Sequence, residues 1–195
     1  MTELTAATST RTARHHPVRV AARWMVTFLG FPLGGFAAML LVGPVDDPWA
    51  AMLGGLITGL AIGGAQILGL GRGGPAPASW IAATAIGLTV GLTVGAAVVD
   101  YGTDLAALVI QGFICGFAVG TAQAFTLRPR LGRLALAWPA ALAVIWPIGW
   151  AVTTVAGIQV DEQFTVFGSF GAIAVTVCTL VLPLVLNENG RSASR

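Results

Sequence analysis

Apolar residues run through this chain in six long blocks separated by short polar stretches. The blocks fall at approximately 24–44, 49–70, 80–99, 105–127, 134–156 and 164–186, and none holds Asp, Glu, Lys, Arg or His in its interior. A helix needs roughly 20 mostly apolar residues to cross about 30 Å of hydrocarbon, and each block is that long. The pattern predicts an all-α membrane protein with six transmembrane helices. It has a basic tail over 1–23, one transmembrane domain over 24–186 and a short tail over 187–195. The connections are short, so consecutive spans pair into hairpins 24–70, 80–127 and 134–186.

The arginines give an orientation, because basic loops tend to stay cytoplasmic. Arg11, Arg14, Arg19 and Arg23 precede the first span and Arg72 follows the second. Arg128, Arg130 and Arg133 lie between spans four and five, and Arg191 and Arg195 lie on the tail. Six crossings put all ten on one face, while the opposite loops hold Asp46, Asp47, Asp100, Asp104, Asp161 and Glu162 and no basic residue. Both termini are expected to be cytoplasmic. The lysine-free, Ala/Gly/Arg-rich composition points to the inner membrane of a high-GC bacterium.

The chain also repeats itself with a period of 57–58 residues. Phe31-Pro32-Leu33-Gly34 aligns with Leu88-Thr89-Val90-Gly91 and with Trp146-Pro147-Ile148-Gly149. Gly55, Gly59, Gly63, Ala65 and Gln66 align with Gly112, Gly116, Gly120, Ala122 and Gln123, 57 residues on. In the sixth span that register falls on Ser169, Ile173, Val177 and Leu180, so the third copy is diverged. Each unit crosses twice, so the three tandem hairpins run parallel to one another and can close into a pseudo-threefold ring. The first span belongs to this repeat, which argues against a cleaved signal peptide.

Residues four apart share a helix face. Gly55, Gly59 and Gly63, and likewise Gly112, Gly116 and Gly120, are therefore expected to seat neighbouring helices, since lipid-embedded helices associate by close backbone approach at small residues. Gln66 and Gln123 continue those faces near the arginine end. They are either interhelical hydrogen-bonding groups or the lining of a solute path. Pro32 and Pro147 predict kinks at matched depth. Asp47, Asp104 and Asp161 recur at steps of 57 and form either a solvated acidic rim or a ring that attracts cations. Trp24, Trp80 and Trp138 open the odd spans and read as an interfacial aromatic belt. Gln111 reads as a cap at the outer end of span four, and Cys115 and Cys178 as packing residues rather than a disulfide.

Composition narrows the function classes. Hydrophobic residues make up 56% of the chain and charged ones only 9%, against about 25% in soluble domains. The net charge of +2 and the lack of a basic stripe beyond the membrane flanks exclude nucleic acid as a partner. No span carries a carboxylate, lysine or histidine for a proton relay. There is no nucleophile–base pair, no metal-ligand spacing and no nucleotide signature, so no enzymatic activity, metal or cofactor is expected.

The Gly-xxx-Gly-xxx-Gly-x-Ala-Gln run, present twice and followed by arginine and a Trp-led span, resembles a group of small bacterial polytopic membrane proteins with recurring Gly-rich, Gln-bearing helices. The likeness covers roughly 55–150. Gln is often followed by Trp in that group, whereas Ile67 and Ala124 follow here. The resemblance implies a polytopic helix bundle and carries no biochemical role. The three-hairpin plan is also similar in outline to mitochondrial carriers, but Pro32 and Pro147 lack the charged neighbours of that family's motif. Two function classes remain. One is a packing or accessory subunit whose partners are lipid and another membrane protein or a second copy of itself. The other is a small permease or channel for a small solute or cation.

Overall fold

The computed structural model of the chain describes residues 17–157 and 164–192, and every regular element among them is helical. Helix α1 covers Pro17–Leu41, α2 Pro48–Leu70 and α3 Pro77–Val98. Helix α4 covers Leu105–Leu131, α5 Ala137–Val155, α6 Ser169–Cys178 and α7 Val181–Ser192. Among the described residues five helical stretches are long and apolar enough to cross a membrane. The chain is thus a multi-pass helical membrane protein. One of the five, Leu105–Val155, comprises α4 and α5 joined by a 3₁₀ turn at Gly132–Leu136.

Local chemistry sets the helix ends. The Asp47 carboxylate accepts hydrogen bonds from the amides of Trp49 (2.6 Å) and Ala50 (2.9 Å), and Pro48 takes the first helical position, where no N–H is needed. Asp104 caps α4 in the same way through the Ala107 amide at 3.0 Å. At the other end, α2 and α4 stop at Gly71 (φ +63°) and Gly132 (φ +55°), in the left-handed region that glycine enters without strain. The Arg23 guanidinium donates to the Leu68 carbonyl at 2.6 Å and covers the end of α2.

Glycines let the backbones meet at successive seams. A Cβ built on Gly55, Gly59 or Gly63 would lie 2.9, 2.6 or 2.9 Å from the Cα of Thr89, Ala85 or Ile81, which seats α3 on α2. On α4, a Cβ built on Gly120 would lie 2.7 Å from Pro139 Cα, one on Gly112 3.1 Å from Pro147 N, and one on Gly116 against the Leu142 carbonyl. Partners descend along α5 as the glycines ascend α4, so Leu105–Val155 is two antiparallel helices folded back at Gly132. Gly87 and Gly91 seat α4 on α3, and Gly30 and Gly34 seat α2 on α1. Gly171 of α6 rests on the Gly149 carbonyl of α5, and α6 also touches α1.

The two odd-helix prolines act differently. Pro32 offers no N–H to the Phe28 carbonyl, and the preceding turn of α1, Thr27–Leu29, tightens to 3₁₀. Pro147 sits inside α5 without interrupting its assigned helix, and its ring nitrogen lies over Gly112.

The expected sixth span is corrected in three respects. It begins at Ser169, not at 164, and Phe164–Gly168 is non-helical. Val166 and Phe167 of that segment are buried, and the Thr165 hydroxyl pairs with Thr58 at 2.9 Å, about 15 Å along α2 from Pro48. Irregular backbone at such depth persists only where protein covers it. The span is also broken at Thr179–Leu180, because Pro183 cannot donate to the Thr179 carbonyl, which takes the Leu182 amide instead. Finally, Ser169, Ile173 and Val177 face outward, and the packing face is Gly171, Val175 and Thr179, two residues out of the repeat's register.

Phe167 fills the interior. Its ring lies 5.3 Å from Phe31 and edge-on to Trp146 at 5.6 Å and Trp150 at 5.9 Å. Phe31, Leu88 and Trp146, spaced 57 and 58 residues apart, are all buried in one apolar cluster.

The glycine seams predict a sharp contrast within one helix. Gly59→Leu must displace the α3 backbone and should cost at least about 3 kcal/mol. Gly64→Leu has no atom within 4 Å to meet and should be neutral or slightly stabilising. Thermal denaturation in detergent checks both. Equal loss at the two positions would contradict this packing.

Candidate functional site

The two glutamines do meet. The Trp80 indole Nε1 donates to Gln66 Oε1 at 2.9 Å and the Trp138 Nε1 donates to Gln123 Oε1 at 2.8 Å. The Gln123 amide nitrogen donates to Thr84 Oγ1 at 2.9 Å and reaches Gln66 Oε1 at 3.4 Å. Thr84 donates to the Trp80 carbonyl at 2.9 Å. An indole is a donor only, so each glutamine must turn its oxygen toward its tryptophan, which leaves the nitrogen to donate. Gln123 is 1% exposed and uses both ends of its amide. The network joins α2, α3, α4 and α5 near the arginine-bearing helix ends.

Trp24 makes the corresponding bond to a different kind of acceptor. Its Nε1 lies 3.0 Å from the Thr176 carbonyl of α6, which has no glutamine, and 3.3 Å from Thr179 Oγ1 just past the end of that helix. Trp24, Trp80 and Trp138 are 1%, 0% and 9% exposed, so the aromatic-belt expectation is overturned. Glycine explains the difference at Trp24. A Cβ on Gly69 would sit 2.9 Å from the Trp24 ring, so that ring lies against bare backbone. Trp49, 71% exposed beside the α2 cap, has the surface exposure expected of a belt residue.

Gln111 is also corrected. Asp104 caps α4, while Gln111 is 1% exposed, packed on Gly95 of α3, with no hydrogen-bond partner among the described residues for either amide atom. Stepping back 57 residues from Gln111 leads to Gly54, where Thr165 occupies the corresponding space. Buried amides normally find partners, and leaving one unpaired costs on the order of 1–3 kcal/mol.

The remaining candidates are separate. Asp47 and Asp104 each spend a carboxylate oxygen on a helix end, and Asp161 lies outside the described residues. Cys115 on α4 is buried and Cys178 on α6 exposed, both as free thiols. Among the described residues no group of three or more His, Cys, Asp or Glu could hold a metal ion. The arrangement is thus a set of internal hydrogen bonds pinning helix to helix around an apolar centre. Sequence reasoning singled out both glutamines but missed their partners, although each glutamine precedes its tryptophan by 14 or 15 residues.

Two outcomes follow for stability. Gln123→Leu strands the Trp138 donor and should cost about 2 kcal/mol, and Gln66→Leu about 1 kcal/mol. In a double-mutant cycle Trp138→Phe should add little once Gln123 is Leu, giving coupling of about 1 kcal/mol. Gln111→Leu removes an unpaired amide and should raise stability by about 1 kcal/mol. Unfolding free energies from denaturant titration check all of these, and additive losses at Trp138 and Gln123 would contradict the pairing.

The chain matches no protein-family model, no curated protein and no solved structure, so its own geometry carries the functional reading.

Proposed function

We propose that this protein is a six-span protein of a bacterial inner membrane, with both termini cytoplasmic, built from three parallel hairpins around a pseudo-threefold axis. It serves as a non-enzymatic packing or accessory subunit of a membrane assembly. The contacts of α6 with both α5 and α1 support the ring, as do the three tryptophans that each bond to a helix across a seam. The observation that carries the function is how the interior polar groups are spent. Gln66 and Gln123, the residues best suited to line a path, accept from buried tryptophans, and Phe31, Leu88, Trp146 and Phe167 occupy the centre. Glycines Gly55, Gly59, Gly63, Gly112, Gly116 and Gly120 are used within the chain, so the surface left for a partner is elsewhere. A groove of about 700 Å³ between α3 and α4 suits a partner helix, with Ala82, Ile86 and Val90 on one wall and Phe117, Thr121 and Phe125 on the other.

A small permease is the second reading, favoured by Gln111, whose amide is uncommitted in the outer half of the bundle. The two readings separate experimentally. Native mass spectrometry of gently extracted protein should show a second polypeptide at fixed stoichiometry, lost when Ala82→Trp fills the groove. Proteoliposomes of the protein alone should pass small neutral solutes and cations no faster than empty liposomes. A flux abolished by Gln111→Leu, from protein that purifies alone, would overturn the subunit reading.

A further inference from the structure

Among the described residues, cavities open on the bundle surface away from the tryptophan–glutamine network, and one carries a cation at its mouth. The groove between α3 and α4 has no charged residue in its lining. A cavity of about 330 Å³ beside Phe164–Gly168 is lined by aromatic and aliphatic residues with Thr153. Thr153 donates to its own helix. The groove between α1 and α2, about 270 Å³, has Arg23 in its lining. Its floor is Gly30, Ala61 and Ala65, and its walls are Val26, Leu33 and Leu68.

The geometry points to an anionic phospholipid in this last groove. The phosphate rests on Arg23, flanked by Arg19 and Arg72, and one acyl chain lies along the small-residue floor. Arg19 stands one turn before Arg23 on α1. Arg72 follows Gly71, whose Cβ position lies 2.8 Å from the Arg23 guanidinium, so the three cations share one helix-end corner. All three are exposed. Arg23 commits one donor to the Leu68 carbonyl, and a guanidinium carries five, so it is held in place with donors left for phosphate oxygens. From Arg23 to Leu33 is about 15 Å along the helix, the depth of one leaflet of a hydrocarbon core about 30 Å thick. The groove therefore matches a lipid in length, in apolar lining and in the charge at its head. Asp46, Asp47, Asp100 and Asp104 lie at the opposite helix ends. Among the described residues the acidic residue on this face is Glu188 of α7, whose neighbours Leu186 and Asn187 border Gly73, so three cations face one acid there. The inference needs only the membrane location of α1 and α2, not the subunit role proposed above.

The test is native mass spectrometry of the full chain in detergent, supplied with equal amounts of phosphatidylglycerol and phosphatidylcholine of the same chain length. The protein should retain phosphatidylglycerol at least about tenfold better. Arg19→Gln with Arg72→Gln leaves the Arg23 bond intact and should lower that retention about tenfold, since each charge near a headgroup contributes a several-fold effect. Arg128→Gln with Arg130→Gln removes as much charge at another loop and should change it less than about twofold. Ala61→Phe fills the groove and should release the lipid although the arginines remain. Millimolar inorganic phosphate should not displace it, which separates a lipid from a bare phosphate site. Equal retention of the two lipids, equal effects of the two arginine pairs, or displacement by phosphate would each overturn the assignment. The lipid preference of the unmodified protein decides the matter even where a variant fails to fold.

Discussion

Hydrocarbon gives a buried hydrogen-bonding group no partner and gives two apolar helices no reason to prefer each other over lipid. Both deficits have to be met inside the chain. Bare backbone at the seams meets the second, from Gly30 and Gly34 on α1 to Gly171 on α6. A small number of internal polar bonds, with the tryptophan–glutamine pairs at their head, meets the first.

The two devices depend on each other. An indole can bond across a seam only if the helices come close enough for its ring to lie between them, and closeness comes from glycine. The same chain shows what happens where glycine and glutamine are missing. On α6 the ladder is reduced to Gly171, and a threonine and a backbone carbonyl replace the amide as Trp24's acceptors. The outer part of the expected span gives way to Phe164–Gly168, whose buried Phe167 plugs the centre and whose Thr165 supplies a partner for Thr58. The non-helical Phe164–Gly168 segment is thus where Phe167 joins Phe31, Trp146 and Trp150 in the interior.

Much of this was legible in the residues. Block length and charge exclusion locate the apolar stretches, and the four-residue spacing puts Gly55, Gly59 and Gly63 on one face, which in the structure lies against the α3 backbone. Asp47 and Asp104 each sit directly before an apolar run, as an N-cap does, and each caps the helix that follows. Trp24, Trp80 and Trp138 are ambiguous in the sequence because a tryptophan near a span end satisfies two rules equally well. It can float at the headgroups, or it can turn inward if a neighbour offers an acceptor and enough room. Gln66 and Gln123 offer the acceptor 14 and 15 residues before their tryptophans, and that is the available signal. Gln111 gave no such signal, since its surroundings follow from how α3 and α4 approach at Gly95.

The central claim is that Trp80 and Trp138 are internal hydrogen-bond donors and not members of a headgroup belt. Exchange of the indole N–H with D₂O, followed by NMR on tryptophan-labelled protein in lipid nanodiscs and assigned by single substitutions, tests it directly. The account predicts that both indoles retain their protons orders of magnitude longer than the exposed indole of Trp49, and that Trp138 loses its protection when Gln123 becomes Leu. Exchange of all three indoles at one fast rate would contradict it.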